Sequence, residues 1–227
     1  MRKKFNHPAS LCCLAVALCL LLQVAALSQE ATPRTGGYNI HIFPSVNSTP
    51  SAPPPPDSGP LVYNGGPVMQ GGVTTYAIFW VPSGTSMTSH YQTVQKNMLG
   101  DYAGHGIGNN NTQYYQIVGT TKSYIHNSGK LGGSYIDTTT SYPASGCSDS
   151  VTPSHCLPDA QIQAEIASAM TANSWTGGLG KMFLLFTPKG VGSCFDSTST
   201  SCAYTAYCAY HSYFMSGSTP VIYGNEP

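Results

Sequence analysis

The chain has 227 residues, nine basic against nine acidic side chains, and only 8% charged residues. A chain with no net charge and no basic field has nothing to hold nucleic acid or an anionic membrane surface. Its length suits one domain with appended segments, and its wealth of Gly, Ser, Thr, Tyr and Asn suits an exported, loop-rich protein.

The start of the chain sets the compartment. Arg2, Lys3 and Lys4 are followed by an uncharged apolar run at 11–26, and Ala26 and Ser28 place small residues where a signal peptidase reads. Spanning a bilayer takes about 20 apolar residues, so 1–28 reads as a signal peptide and the mature chain as secreted, extracellular or periplasmic. Cleavage removes Cys12, Cys13 and Cys19 and leaves five cysteines, at 147, 156, 194, 202 and 208. In an oxidising compartment these are expected in disulfides. Five is odd, so one is left over.

Residues 29–60 are dominated by Pro, Ser, Thr and Gly and read as a disordered, partly polyproline linker. Within them YNIHIF at 38–43 alternates as an edge strand does, although an apolar patch in a tail is the plainer reading. The globular part begins near Leu61, where LVYNGGPVM reads as a strand, a turn and the start of a second strand. Residues 73–81 are β-branched and aromatic and stop at Pro82, which predicts a central strand. A helix over 89–102 follows, with Ser86 and Thr88 as candidate N-caps and Tyr91, Val94, Met98 and Tyr102 at helical spacing. The Gly- and Asn-rich stretch beyond it holds a short helical turn at 114–118 and a strand at 134–140. Cys147 and Cys156 lie about one hairpin apart. Pro158 and Asp159 open a second helix whose apolar face is Ile162, Ile166, Ala169 and Met170. Residues 182–186 form an apolar run bounded by Pro188 and Gly190, as a strand buried on both faces does. A cysteine-tied loop follows, then return strands at 207–214 and 221–223. The order predicts an α/β fold, a mixed sheet flanked by two main helices.

Motifs for chemistry are sparse. Neither HExxH nor CxxC occurs, and the histidines at 41, 90, 105, 126, 155 and 211 are scattered, so no metal site is expected and residues 29–227 should hold no stoichiometric zinc. A GxSxG nucleophile motif is absent. Paired carboxylates would have to come from Asp101, Asp137, Asp149, Asp159, Glu165 and Asp196. Of these, Asp159 and Glu165 read as helix-surface residues, and Asp137 and Asp196, near strand ends, as the two able to face a cleft. His211, set among strand aromatics, is a weak catalytic candidate, with a buried structural role the plainer reading.

Residues 63–80 (YNGGPVMQGGVTTYAIFW), and 182–187 leading through Gly192-Ser193-Cys194 to Cys208-Ala209-Tyr210-His211, resemble the phosphate-induced, EXORDIUM-like family of secreted proteins. The last run is Cys-Gly-Phe-His-like in the family; here Ala and Tyr replace Gly and Phe. The resemblance covers 61–223 and is closer to bacterial than to plant members, because it includes Cys147, Cys156 and Cys202. It implies a Cys194–Cys208 disulfide, with Cys147–Cys156 as the second bridge and Cys202 unpaired and able to link two chains in a dimer. It also implies a zincin-like α/β sandwich. Family members continue beyond the strand at 221–223 into a Ser-His-Glu run on a helix, and this sequence ends before it. The expectation is therefore a C-terminally truncated domain over 61–227, a fragment of a zincin-like hydrolase that is inactive as given, with zinc only in a full-length form. The alternative is a non-catalytic extracellular or cell-wall protein that binds carbohydrate or peptide.

Overall fold

The structure, a computed structural model, describes residues 41–44, 63, 65–144, 146–152, 154–195, 197 and 201–227. All of these lie in one unit, Asn39–Pro227, and the other unit, Met1–Tyr38, which holds the expected signal peptide, lies outside the described residues. Of the expected linker only β1, His41–Pro44, is described, and it is a strand on the sheet edge, so 41–43 of the run read as an edge strand pair with the sheet while 38–40 lie outside the described residues.

The β-branched run forms β2, Val73–Trp80. Helix α1, Ser89–Asp101, is capped by Thr88, whose Oγ1 accepts from the Tyr91 amide at 3.2 Å. A 3₁₀ segment, Gly106–Gln113, leads to a hairpin of β3, Tyr115–Val118, and β4, Thr121–Tyr124. The helical turn expected at 114–118 is thus a strand. Gly119, at φ +62°, starts the two-residue turn that joins the hairpin. Strand β5, Gly129–Asp137, is followed by β6, His155–Pro158, and helix α2, Asp159–Ala172. The chain then makes β7, Lys181–Phe186, β8, Val191–Cys194, β9, Tyr207–Ser216, and β10, Thr219–Glu226. Residues 65–72 form no strand, against the expectation for that stretch.

The main sheet has the order β1-β9-β10-β7-β2-β5. Strands β10, β7, β2 and β5 are parallel, and β9 runs against β10 and β1. The mixed α/β class is as expected. A parallel strand inside such a sheet needs apolar residues on both sides, and β7 has them. Phe183 and Leu185 are fully buried on one face with Ile78, Tyr223 and the α2 residues Ile162, Ile166 and Ala169. Leu184 and Phe186 are buried on the other with Ala77, Phe79 and the α1 residue Leu99. The two faces differ. The α2 face is a large aromatic core, with Phe195 stacked on Tyr207 and Tyr210 edge-on to both. On the α1 face the stripe at helical spacing is not core, since Tyr91, Val94, Met98 and Tyr102 are 38–52% exposed.

Two disulfides tie the loops, and they correct one expected pairing. Cys147 is joined to Cys156. Cys194 is joined to Cys202, not to Cys208. The reason is local. Residues 193–195 and 201–203 pair antiparallel and set Cys202 directly opposite Cys194, with the Ala203 amide donating to the Ser193 carbonyl at 2.8 Å and the Phe195 amide to the Ser201 carbonyl at 3.1 Å. On β9, Tyr207 points into the core and so Cys208 points out, at the bulge where Pro44 pairs with Tyr207 and Phe43 with Ala209. Cys202 is therefore not the leftover cysteine, and the expected dimer through it loses its basis.

Peptide mapping of the non-reduced protein should recover Cys194 linked to Cys202. Cys202→Ser should lower stability by about 2.5 kcal/mol, the chain-entropy cost for so short a loop, whereas Cys208→Ser should change it little in urea unfolding. A Cys194–Cys208 peptide would contradict this pairing.

Candidate functional site

Chemistry and room lie on opposite faces of the sheet. The chemistry is a carboxyl pair at the carboxyl end of β5. Asp137, the last residue of that strand, is 2% exposed, and Glu165, on the sheet-facing side of α2, is 3% exposed. Asp137 Oδ1 accepts from the Thr139 amide at 2.7 Å, the Thr139 hydroxyl at 2.9 Å and the Thr140 amide at 3.0 Å. Burial by itself would raise the Asp137 pKa, but these bonds from Thr140 and Thr139 outweigh it and hold the group well below the usual carboxylate range. Glu165 has no such support, and neither of its oxygens meets a partner in good hydrogen-bonding geometry. Burial, then the Asp137 charge and its pull on the Glu165 proton, push Glu165 up to about 8. One carboxyl is held ionised and its neighbour protonated, the division of labour an acid–base site uses.

Both carboxyls of this pair are almost fully buried. The loop after β5 closes over it: Trp80 donates from Nε1 to the Thr140 carbonyl at 2.7 Å, and Tyr142 donates to the Trp80 carbonyl at 2.6 Å with its ring edge-on to the indole. A second buried polar cluster lies on the same face. Asp159, 4% exposed, accepts from the hydroxyls of Tyr210 at 2.7 Å and Tyr223 at 2.5 Å and from the Gln163 amide at 2.6 Å. Burial first and the Asp159 charge next raise the pKa of both tyrosines, which keeps them donors. Asp159 and Glu165, expected on the helix surface, are both interior.

The room is on the α1 face, at the amino ends of the parallel strands. A groove of about 930 Å³ runs beneath the last turn of α1 and the 3₁₀ segment. Its floor is Val73, Met182 and Leu184, and its walls include Met69, Met98 and Tyr102. Its lip is apolar and open to solvent, with Met98 52%, Tyr102 43% and Ile107 66% exposed. Asn127 fixes the far wall: its Oδ1 accepts from the Gly104 amide at 3.0 Å, and its Nδ2 donates to the His105 carbonyl at 2.9 Å and to Asn109 Oδ1 at 2.7 Å. Neither carboxyl of the buried pair lines the groove. Ligands of open parallel sheets usually sit at the carboxyl ends of the strands. Here the apolar volume is at the amino ends, and it is the place with space for a ligand.

The other sequence candidates fall elsewhere. His211 is half-buried in the middle of β9, opposite Gly224 of β10 and His41 of β1, and lines neither the groove nor the smaller pocket by Trp175 and Phe214. Asp101 does line the groove. Asp149 is buried against the loop before β6, accepting from the Val151 amide at 3.1 Å and the Thr152 hydroxyl at 2.5 Å. Asp196 lies outside the described residues. Comparison of the chain with family models, curated proteins and solved structures finds no match.

The Glu165 proton sets a pH dependence. Below the ordinary carboxyl range the folded and unfolded chains both hold it. Between there and about pH 8 the unfolded chain releases it first, so this group's contribution to stability is lost as pH rises and levels off above about 8. Glu165→Gln should therefore gain on the wild type by up to about 5 kcal/mol between pH 4 and pH 9, measured by urea unfolding at each pH. A difference that does not change with pH would contradict the raised value.

Proposed function

We propose that the chain is an exported binding protein, held together by two disulfides, whose α1-face groove takes an extended peptide through its apolar side chains. The observation that carries this is the groove itself, of about 930 Å³, walled by aliphatic, methionine and tyrosine side chains. That volume suits a ligand site, and few other features of a fold leave so large an apolar concavity open. Methionines at 69, 98 and 182 supply unbranched, polarisable walls that adapt to different apolar side chains. A carbohydrate site would instead offer flat aromatic faces, and Tyr102 is the one Phe, Trp or Tyr among the groove's lining residues. The two disulfides are compatible with an extracellular location, and no helix among the described residues is long and apolar enough to cross a membrane. The reading as a zincin-like hydrolase fragment rests on the resemblance to EXORDIUM-like proteins, and the buried carboxyl pair adds no substrate route to it.

The test uses a dye-labelled hexapeptide of alternating leucine and serine, with a serine–glycine hexapeptide and a soluble β-glucan oligosaccharide as comparators. Fluorescence anisotropy should show 1:1 binding of the leucine peptide, weakened at least about tenfold by Met98→Glu and by Ile107→Glu. Both side chains are more than half exposed, so the charge is tolerated by the fold. Met215→Glu, on β9 away from the groove, should leave binding unchanged. Equal binding of the serine–glycine peptide or the oligosaccharide, or full retention in Met98→Glu, would overturn the reading.

A further inference from the structure

The two disulfides touch. Cys156 is the second residue of β6 and Cys194 the last of β8, and these strands pair in parallel with Cys156 opposite Gly192 and Pro158 opposite Cys194. The Cys156 and Cys194 sulfurs are 3.3 Å apart. The sulfurs of Cys147, Cys156 and Cys194 all lie within 4.8 Å of one another, and that of Cys202 is bonded to Cys194. Three sulfurs thus converge on one point from three places in the chain, and a fourth is one bond away. Cys194 and Cys202 are buried, while Cys147 and Cys156 are half-buried, which leaves one side open as an entry path.

This contact has two conceivable chemical uses, and strand geometry chooses between them. A direct Cys156–Cys194 bond would join residues two positions out of register on neighbouring strands. Strand spacing puts their Cα atoms about 8 Å apart, beyond the roughly 7 Å a disulfide spans. A tetrahedral thiolate site is less demanding. With metal–sulfur bonds of about 2.3 Å its sulfurs sit about 3.8 Å from one another, against 3.3 Å between Cys156 and Cys194 and at most 4.8 Å among Cys147, Cys156 and Cys194, so Cys202, once released from Cys194, has only to turn toward them.

We propose that Cys147, Cys156, Cys194 and Cys202, when reduced, form a four-thiolate site for one thiophilic divalent cation of the zinc class. Binding converts four thiols and one M²⁺ into an M(SR)₄ centre and releases four protons. Thiolates are the ligands, so the disulfide form and the metal form of this cluster exclude each other. With all four positions filled by protein the centre is a closed, structural one. It would clamp residues 146–152, β6, β8 and residues 201–203 together before oxidation does the same with two disulfides. Its ligands come as pairs with eight and seven residues between them, 147/156 and 194/202, and not as CxxC.

The experiment takes the exported chain and reduces it under argon with a water-soluble phosphine. Each disulfide gains two electrons and two protons as the phosphine and one water become phosphine oxide. Titration with Co²⁺ should then give one equivalent bound, with thiolate-to-cobalt charge-transfer absorption and the intense visible bands of a tetrahedral ion, displaced by one equivalent of Zn²⁺. Cys147→Ser and Cys202→Ser should each weaken binding at least about tenfold, and Cys208→Ser should not change it. The oxidised chain should show no such absorption. Near-ultraviolet circular dichroism of the aromatic core keeps the proposal testable if reduction unfolds the chain, because the metal must then restore it. Absence of the absorption, retention in Cys202→Ser, a need for Cys208, or metal held by a chain that stays unfolded would each overturn the proposal.

Discussion

The Asp159 carboxylate is the joint on which the α2 side of this protein turns. It is the first residue of α2, it sits at the helix N-terminus where negative charge is favoured, and it receives two tyrosine hydroxyls from β9 and β10. Breaking one partner of such a buried cluster leaves the rest unpaired, at a cost of about 1–3 kcal/mol for each group. Because both tyrosines belong to neighbouring strands of the sheet, the bonds fix where α2 begins and which way it lies. The residue before Asp159 ends β6, so the same joint places the β6–β8 pair and its cysteines.

Once α2 is fixed, its apolar stripe closes one face of the sheet and carries Glu165 onto Asp137. That contact is unfavourable for two ionised carboxylates, and a proton kept on Glu165 is the way the interior accommodates it. Nothing equivalent seals the opposite face. Leu184, Phe186, Ala77 and Phe79 are covered there by Leu99 and its neighbours, but the strand starts beneath the end of α1 are not filled. The groove is thus the space left where a short helix crosses part of a wide sheet. Its walls are firm, since Asn127 and the 3₁₀ segment are tied by several hydrogen bonds, and its lip is adaptable, since Met98 and Ile107 are not packed.

Much of the fold was legible in the sequence because period and context agree there. The unbroken apolar run at 182–186 can satisfy only a strand buried on both sides, and Ile162, Ile166 and Ala169 can share only one side of a helix. The same spacing held a signal that was missed. Position 165 lies on that stripe beside Ile166, so its carboxylate had to be interior, and charge alone led to the surface reading. Helix α1 failed in the opposite sense: four apolar residues at helical spacing are exposed and not core, two of them, Met98 and Tyr102, lining the groove, and spacing cannot tell these cases apart. For Cys208 the expectation came from resemblance, whereas alternation along β9 turns it away from the neighbouring buried Tyr207. The groove itself is built from four stretches of chain, 69–75, 98–111, 125–130 and 182–184, and leaves no local pattern to read.

Methionine oxidation tests the central contrast between a sealed face and an open groove. Dilute peroxide followed by peptide mass spectrometry reports each methionine separately. Met98 and Met215, 52% and 53% exposed, should oxidise fast, and Met170, 7% exposed and under α2, should resist. Saturating leucine–serine hexapeptide should slow Met98 severalfold and leave Met215 unchanged. Met170 reacting as fast as Met98, or the peptide protecting Met215 as well as Met98, would contradict the account.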